Sequence, residues 1–350
     1  MASTNPLPTS PVWPARVVIR DVALRDGLQI LPRTVPTATK LEWLRAAHAA
    51  GLRELEVGSF VPAHRLPQLA DTAEVLALAK TLPGLKATVL VPNFKGAERA
   101  IAEEAHAMLV PISASHAHSL ANLRKTPDEV VSEIGRMRAA RDAAGSRTLL
   151  EVGISTAFGC TLQGRVEEAE VVRLVVAVIN AGADRVSLAD TVGYADPAMV
   201  FRLFEQVRRV AGERLDSAHF HDTRGLGLAN CLAALQMGVT RFDACLGGIG
   251  GCPHAPGASG NVSTEDLAYM FASMGIGTGL DIDVLLALRQ RLAGWLAGET
   301  LYGSLWRAGL PKTLIPHPPS PQPLSPHERS RTHFFGHPRR LPAPEGPARR

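Results

Sequence analysis

His219 and His221, one residue apart in the run His-Phe-His-Asp, are the residues of this 350-residue chain best placed to share a ligand. If that run ends a strand, alternation turns residues i and i+2 to one face, about 7 Å apart along the chain. Two imidazoles on one face can hold a metal ion, or can be satisfied within a hydrogen-bond network. A second candidate is Arg25-Asp26-Gly27. There Asp26 can add a carboxylate ligand and Arg25 can face an anionic oxygen, or the two can form an ordinary ion pair. A third is the run GGIGGCPHAPGASGNVSTED at 247–266. Its glycines and prolines predict a long loop that carries a Cys and an Asn over a site, followed by a helix cap at Ser263 or Thr264. No phosphate-cradling G-x-x-x-x-G-K-[ST] run is present, and the glycines do not match a dinucleotide fingerprint.

These groups need a frame. From Val17 to about Ser273 short β-branched runs alternate with helical stretches. The strand-like runs are VVIRDV (17–22), ELEV (54–57), KATVLV (86–91), AMLVPI (107–112), TLLEVGI (148–154), RVSLAD (185–190), SAHFHD (217–222) and RFDACL (241–246). Between them apolar residues recur at helical spacing, as in Leu41/Leu44 and Val130/Ile134/Met137. Thr126-Pro127-Asp128-Glu129 reads as a capping box with Pro at the first helical position, Asp196-Pro197 repeats the cap, and Gly51 and Gly238 stand where helices end. Eight strand–helix units in series predict a parallel (β/α)8 barrel, with a doubly wound open sheet as the alternative. In such a barrel the site lies at the C-terminal strand ends, where all three candidates fall.

The predicted organisation is a flexible segment at 1–16, a barrel domain at 17–310 with extra C-terminal helices from 278, and a disordered tail at 311–350. The tail is rich in Pro, His and Arg and cannot bury enough apolar surface to offset its ordering. Between His317 and Arg350 it holds six Arg against two Glu, which accounts for the whole net charge of +4. The basic excess is therefore not gathered on a folded face, and a nucleic-acid partner is not expected. Neither is a membrane partner, since no run of about 18 apolar residues occurs. Four cysteines without paired spacing suit a reducing cytoplasm, and the N-terminal residues lack the apolar stretch of a secretory signal. Arg outnumbers Lys 31 to 6, as in products of GC-rich bacterial genomes, which also favours the cytoplasm.

Taken together, RDGLQ (25–29), SFVP (59–62), VPNFKG (91–96), SLADTVG (187–193), HFHDTRGLGLAN (219–230) and GGCPHAPGASGNVSTED (250–266) resemble the 3-hydroxy-3-methylglutaryl-CoA lyases, within the DRE-TIM metallolyases. The resemblance covers roughly residues 17–275, and the Cys-Pro-x-Ala-x-Gly-Ala-Ser-Gly-Asn loop is its most specific part. It implies a TIM barrel that cleaves an acyl-CoA thioester by a retro-Claisen reaction, giving acetyl-CoA and a 3-oxo acid, and a homodimer. It implies a divalent cation, Mg2+ or Mn2+, on Asp26, His219, His221 and Asn261, a ligand set of hard oxygens and imidazoles that suits either ion. Arg25 is implied to neutralise the developing enolate oxygen, so its loss is expected to cost turnover rather than stability. Cys252 is implied in proton transfer near the enolate carbon, although lone cysteines are usually inert. Glu56 and Asp190 are implied to orient Arg25 or to assist proton transfer, with structural ion pairing as the alternative. His219 belongs to the catalytic set as well as the ligand set, and Gln29, Ser59 and Ser187 to the substrate-binding set.

The chain also departs from that pattern. Ala23-Leu24 stands where Gly-Pro is usual before Arg-Asp, Ile30-Leu31 where Asn-Glu follows Gly-Leu-Gln, and Ser115-His116 where Ser-Glu is expected. Two polar groups near the Arg-Asp-Gly turn have thus become apolar. An apolar pocket wall favours a longer 3-alkyl group by about 0.8 kcal/mol per buried methylene. The alternative is that Ile30 and Leu31 only pack the strand–helix loop.

Overall fold

The computed structural model describes residues 13–251 and 260–312. Eight parallel strands close in chain order: β1 (Val18–Asp21), β2 (Glu54–Ser59), β3 (Lys86–Leu90), β4 (Ala107–Ser113), β5 (Leu149–Ser155), β6 (Arg185–Asp190), β7 (Leu215–Phe220) and β8 (Arg241–Ala244). Each falls on one of the eight predicted runs, within two residues at either end. Closure rests on β8 pairing with β1, Val18 opposite Arg241 and Asp21 opposite Ala244, which decides for the barrel over the open sheet.

The outer layer follows from sequence periodicity. Its helices are α1 (Thr37–Ala49), α2 (Thr72–Thr81), α3 (Phe94–Ala102), α4 (His116–Leu123), α5 (Pro127–Ala143), α6 (Glu168–Asn180), α7 (Pro197–Ala211), α8 (Gly227–Gln236) and α9 (Thr264–Ser273). Helix α6 buries Val171, Leu174, Val175 and Val178, and α7 buries Val200, Leu203, Phe204 and Val207. Those three- and four-residue spacings make one apolar stripe per helix, each large side chain contributing about 1.5–3 kcal/mol on burial. The caps act as predicted. Thr126 and Glu129 form the capping box with Pro127 at N1, and Asp196 accepts from the Met199 amide. Gly51 and Gly238 end α1 and α8 with positive φ of 97° and 83°, a conformation that a Cβ would strain.

Beyond β8, α10 (Ile282–Trp295) packs against α1 and α9, with Trp43 stacked on Trp295 at 6.1 Å, and a short α11 (Leu305–Ala308) follows. At the other end Trp13 packs against the core and Arg16 bridges to Gly277. Most of the predicted flexible segment and nearly all of the predicted tail lie outside the described residues. No helix among the described residues is long and apolar enough to cross a membrane.

Barrel interiors are usually filled by branched apolar side chains. Here the N-terminal end is lined with charge. Arg241 binds Glu54 at 2.5 Å and Asp216 at 3.1 Å, Arg185 reaches Glu151 at 3.3 Å, and Arg20 spans from Glu151 at 2.5 Å to Asp243 at 2.7 Å. This charged floor lies beneath the candidate site.

Candidate active site

Strand β1 ends in a single π-helical turn, Ala23–Gly27, that carries Arg25 and Asp26 into the barrel mouth. Asp21 fixes the turn: one oxygen accepts from the Ala23 amide at 3.0 Å, the other from Leu246 N at 2.8 Å and Thr264 Oγ1 at 2.6 Å. Burial pushes its carboxyl up to about 6. π-Helical turns recur at functional sites because they shift side chains off the regular register. A Cβ at Gly27 would come within 2.8 Å of the Ile249 side chain, which would have to move aside.

Arg25 is buried between two carboxylates. Its Nη2 lies 2.7 Å from Glu56 Oε2, and its Nη1 bonds Asp26. Burial opposes the charge on Arg25, but Glu56 and Asp26 outweigh it and raise the guanidinium further, so it stays a cation. Glu56 is fully buried, and burial raises its carboxyl against the pull of Arg25. Arg25 is thus also the counter-charge of a carboxylate with no access to water. For Asp26, burial pushes up, but Arg25 and the two histidines win and hold it below the usual carboxylate range.

His219 is on β7 and His221 just beyond it, in an isolated bridge with Asn261. Their Nε2 atoms face each other at 3.1 Å, while Nδ1 of His219 lies 3.1 Å from Asp243 Oδ2. Burial, then the neighbouring His219, pushes His221 down to about 3, leaving it neutral. On His219 burial also opposes the charge, but the bond and charge of Asp243 prevail and raise it. Asn261 donates from Nδ2 to Asp26 Oδ2 at 2.7 Å and to the Ile249 carbonyl at 3.1 Å.

Asp26, His219 and His221 each offer one ligand atom, all within 4.8 Å of one another. Nδ1 of His221 and Oδ1 of Asn261 are buried without a hydrogen-bond partner, which at native sites calls for an explanation such as an ion or water. Converging nitrogens, a carboxylate held ionised and an orphaned amide oxygen are a donor set that fits a divalent cation.

Arg25, Asp26, His219 and His221 line one side of a cavity of about 780 Å3. Gln29, which donates to Asp26 at 3.1 Å, and Ser187 on β6 also line it, as do the basic side chains Arg65, Arg124 and Lys125. Two other candidates are engaged elsewhere. Asp190 accepts from the amides of Tyr194 at 2.8 Å and Ala195 at 3.0 Å, and burial pushes its carboxyl up to about 6. Ser59 Oγ accepts from the Val61 amide at 3.2 Å, shaping the turn after β2. Cys252 lies outside the described residues. Of the two apolar departures, Ile30 lines the cavity and is 42% exposed, whereas Leu31 is buried in the core. At the third departure Ser115 caps α4, and it is His118, bonded through Nδ1 to Ser113 Oγ at 2.6 Å, that lines the cavity. Sequence reading missed Asp243 and Arg20, because neither strand marks an acid or base there as different from any buried polar residue.

A closed parallel barrel with an Arg–Asp turn and a His-x-His at its C-terminal mouth is the arrangement that the sequence resemblance implies. Comparison with known proteins bears this out. Residues 16–292 match the HMGL-like family, and the chain belongs to it. It is 37% identical over 275 residues to a hydroxymethylglutaryl-CoA lyase of Bacillus subtilis, covering 79% of this chain and 91% of the relative. It is 36% identical over 303 residues to the (R)-citramalyl-CoA lyase of Chloroflexus aurantiacus, covering 84% and 95%. Among solved structures, an HMG-CoA lyase from Acinetobacter baumannii in complex with coenzyme A and 3-methylmalate matches with a TM-score of 0.80 and 39% identity, over 87% of this chain and 98% of that one. The chain is a carbon–carbon lyase of the HMG-CoA lyase type.

Proposed function

We propose that this enzyme cleaves a 3-hydroxy-3-methylglutaryl-CoA-type thioester to acetyl-CoA and a 3-oxo acid, acetoacetate for the methyl substrate, with a divalent cation, Mg2+ or Mn2+. The observation that carries the reading is the convergence of Asp26, His219 and His221 beside a buried, permanently charged Arg25. Asp26, His219, His221 and the amide oxygen of Asn261 would hold the cation, which when bound supplies a Lewis acid that lowers the pKa of a hydroxyl.

The chain's own groups account for the rest. The bond between C2 and C3 breaks, its electron pair passing into the thioester enolate while the C3 hydroxyl loses its proton and becomes a ketone. Arg25, fixed by Glu56 and Asp26 before substrate arrives, is a preorganised cation for the enolate oxygen. Glu56, its carboxyl raised by burial, is the acid beside Arg25 suited to proton exchange, and Cys252 is assigned the proton that C2 takes up. Gln29 and Ser187 on the cavity wall contact the acyl group, and the basic residues at the rim suit an anionic acyl-CoA. Cysteines without paired spacing support a site of action in a reducing cytoplasm, and the family resemblance supports a homodimer.

A second reading shares the chemistry but takes a different acyl group. The (R)-citramalyl-CoA lyase relative and the apolar side chain of Ile30 on the cavity wall favour it, with citramalyl-CoA or a longer 3-alkyl analogue as substrate. One assay tests both: acetyl-CoA release from the methyl compound, citramalyl-CoA and 3-propyl analogues, before and after EDTA. Chelation is expected to abolish cleavage and Mg2+ or Mn2+ to restore it; full activity in verified metal-free protein sinks the metal reading. A steep preference for the methyl compound removes the second reading and leaves the first.

A further inference from the structure

Asp243, the third residue of β8, lies outside the ligand set yet directly behind it. Strand register explains why. β8 pairs His219 of β7 with Asp243, and Asp243 with Arg20 of β1, so three adjacent strands bring imidazole, carboxylate and guanidinium to one level. The contacts follow that register. Arg20 Nε lies 2.7 Å from Asp243 Oδ1 and Nη2 lies 3.1 Å from Oδ2, a fork that grips both oxygens. Arg20 is itself 1% exposed and held on its other edge by Glu151, Nη1 to Oε2 at 2.5 Å. A guanidinium bound on both edges cannot rotate, so the plane of the carboxylate is set. Oδ2 then lies 3.1 Å from His219 Nδ1. An ionised carboxylate only accepts hydrogen bonds, so in the neutral ring the proton sits on Nδ1 and Nε2 keeps its lone pair toward His221 and the cavity.

We propose that Arg20 and Asp243 are positioning residues that fix the tautomer and ring plane of His219, and through it the affinity of the site for its cation. The affinity half rests on the metal reading above; the tautomer half does not. Partners of this kind, behind a ligating histidine, typically change metal affinity by roughly 10- to 100-fold when removed. A merely structural ion pair would alter melting and leave both quantities alone.

The test uses the full chain with Asp243→Asn and, separately, Arg20→Lys. In metal-free protein, at a pH high enough to keep the ring neutral, nitrogen NMR of labelled histidines reports the His219 tautomer, with His219→Gln for assignment. Electron paramagnetic resonance of added Mn2+ reports affinity. The parent is expected to show the Nδ1–H form. Asp243→Asn, with one acceptor left for three donors, should give a mixture of tautomers and bind Mn2+ about 10- to 100-fold more weakly. Arg20→Lys, which keeps the charge and loses the fork, should fall between. Folded Asp243→Asn with the parental tautomer, or with Mn2+ affinity within about twofold of the parent, overturns the proposal. If Asp243→Asn does not fold, Arg20→Lys decides by the same two readouts. A parent that binds no Mn2+ refutes the metal reading, and the tautomer comparison still decides the positioning role.

Discussion

The two ends of the barrel interior both pair buried charges, yet only one of them adds imidazoles and an amide. On the floor, Arg241, Arg185 and Arg20 face Glu54, Glu151, Asp216 and Asp243, so every charge meets an opposite one. At the mouth, Arg25, Asp26 and Glu56 are matched in the same way. Buried atoms without a hydrogen-bond partner occur at both ends, Asp216 Oδ1 and Arg241 Nε on the floor and Arg25 Nε, Glu56 Oε1, His221 Nδ1 and Asn261 Oδ1 at the mouth. Among the described residues, only at the mouth do two imidazole nitrogens confront each other beside an unpartnered amide oxygen. Burying a polar group without a partner costs about 1–3 kcal/mol, so a fold tolerates it where something else is gained. What sets the mouth apart is a converging set of uncharged nitrogen and amide-oxygen donors beside a carboxylate, where the floor has only ion pairs.

Mutations can break that division or sharpen it. The largest effect is expected at the boundary. Arg25→Met should lower kcat by about 100- to 1,000-fold or more through the lost partner of the enolate oxygen. It should also destabilise by about 3–5 kcal/mol, because Glu56 is left as an uncompensated buried charge. Adding Glu56→Gln should restore the melting temperature and not the turnover. Recovery of both would make Arg25 a floor residue in disguise.

Arg241→Met is the opposite case. It removes the 2.5 Å partner of Glu54 and leaves only the exposed Lys86 at 3.3 Å, so it should cost up to about 3–5 kcal/mol in denaturant unfolding while kcat at a permissive temperature stays near the parent value. A fall in kcat as large as that of Arg25→Met would erase the distinction between the two ends. The smallest expected change is Gly250→Ala. Gly250 has φ of +97°, and a Cβ there would meet Asn261 Nδ2 at 2.5 Å and Asp26 Oδ2 at 2.9 Å. The strained backbone should cost about 1 kcal/mol or somewhat more, and the displaced amide roughly tenfold or more in cation affinity. A folded variant with parental affinity would take Asn261 out of the ligand set.

How legible all this was in the sequence depends on distance along the chain. The eight strands could be read because β-branched runs and capping signals are local, as Thr126-Pro127-Asp128-Glu129 illustrates. Asp26, His219 and His221 could be named because a short spacing and a strand end suffice to aim them. Asn261 and Glu56 rested on a family pattern; only the closed barrel brings Asn261 to Asp26, 235 positions away. Arg20 and Asp243 could not be read, since their partners sit 131 and 223 residues apart and nothing local distinguishes them. Ile30 and Leu31 show the limit from the other side. Two adjacent substitutions looked alike in sequence, yet the turn after Gly27 sends one to the cavity and one to the core.

The charged floor also constrains how the chain can reach this structure. Arg20 enters the barrel with β1, its acceptor Glu151 with β5, and Asp243 only with β8. A half-barrel whose interior dried would hold Arg20 or Asp243 without the other, a state costing several kcal/mol per ion. Partial barrels are thus penalised, and the first and last strands must meet before the interior can dry. Contacts this distant in sequence slow folding, and the charged ring gives the two ends of the chain a further reason to close together.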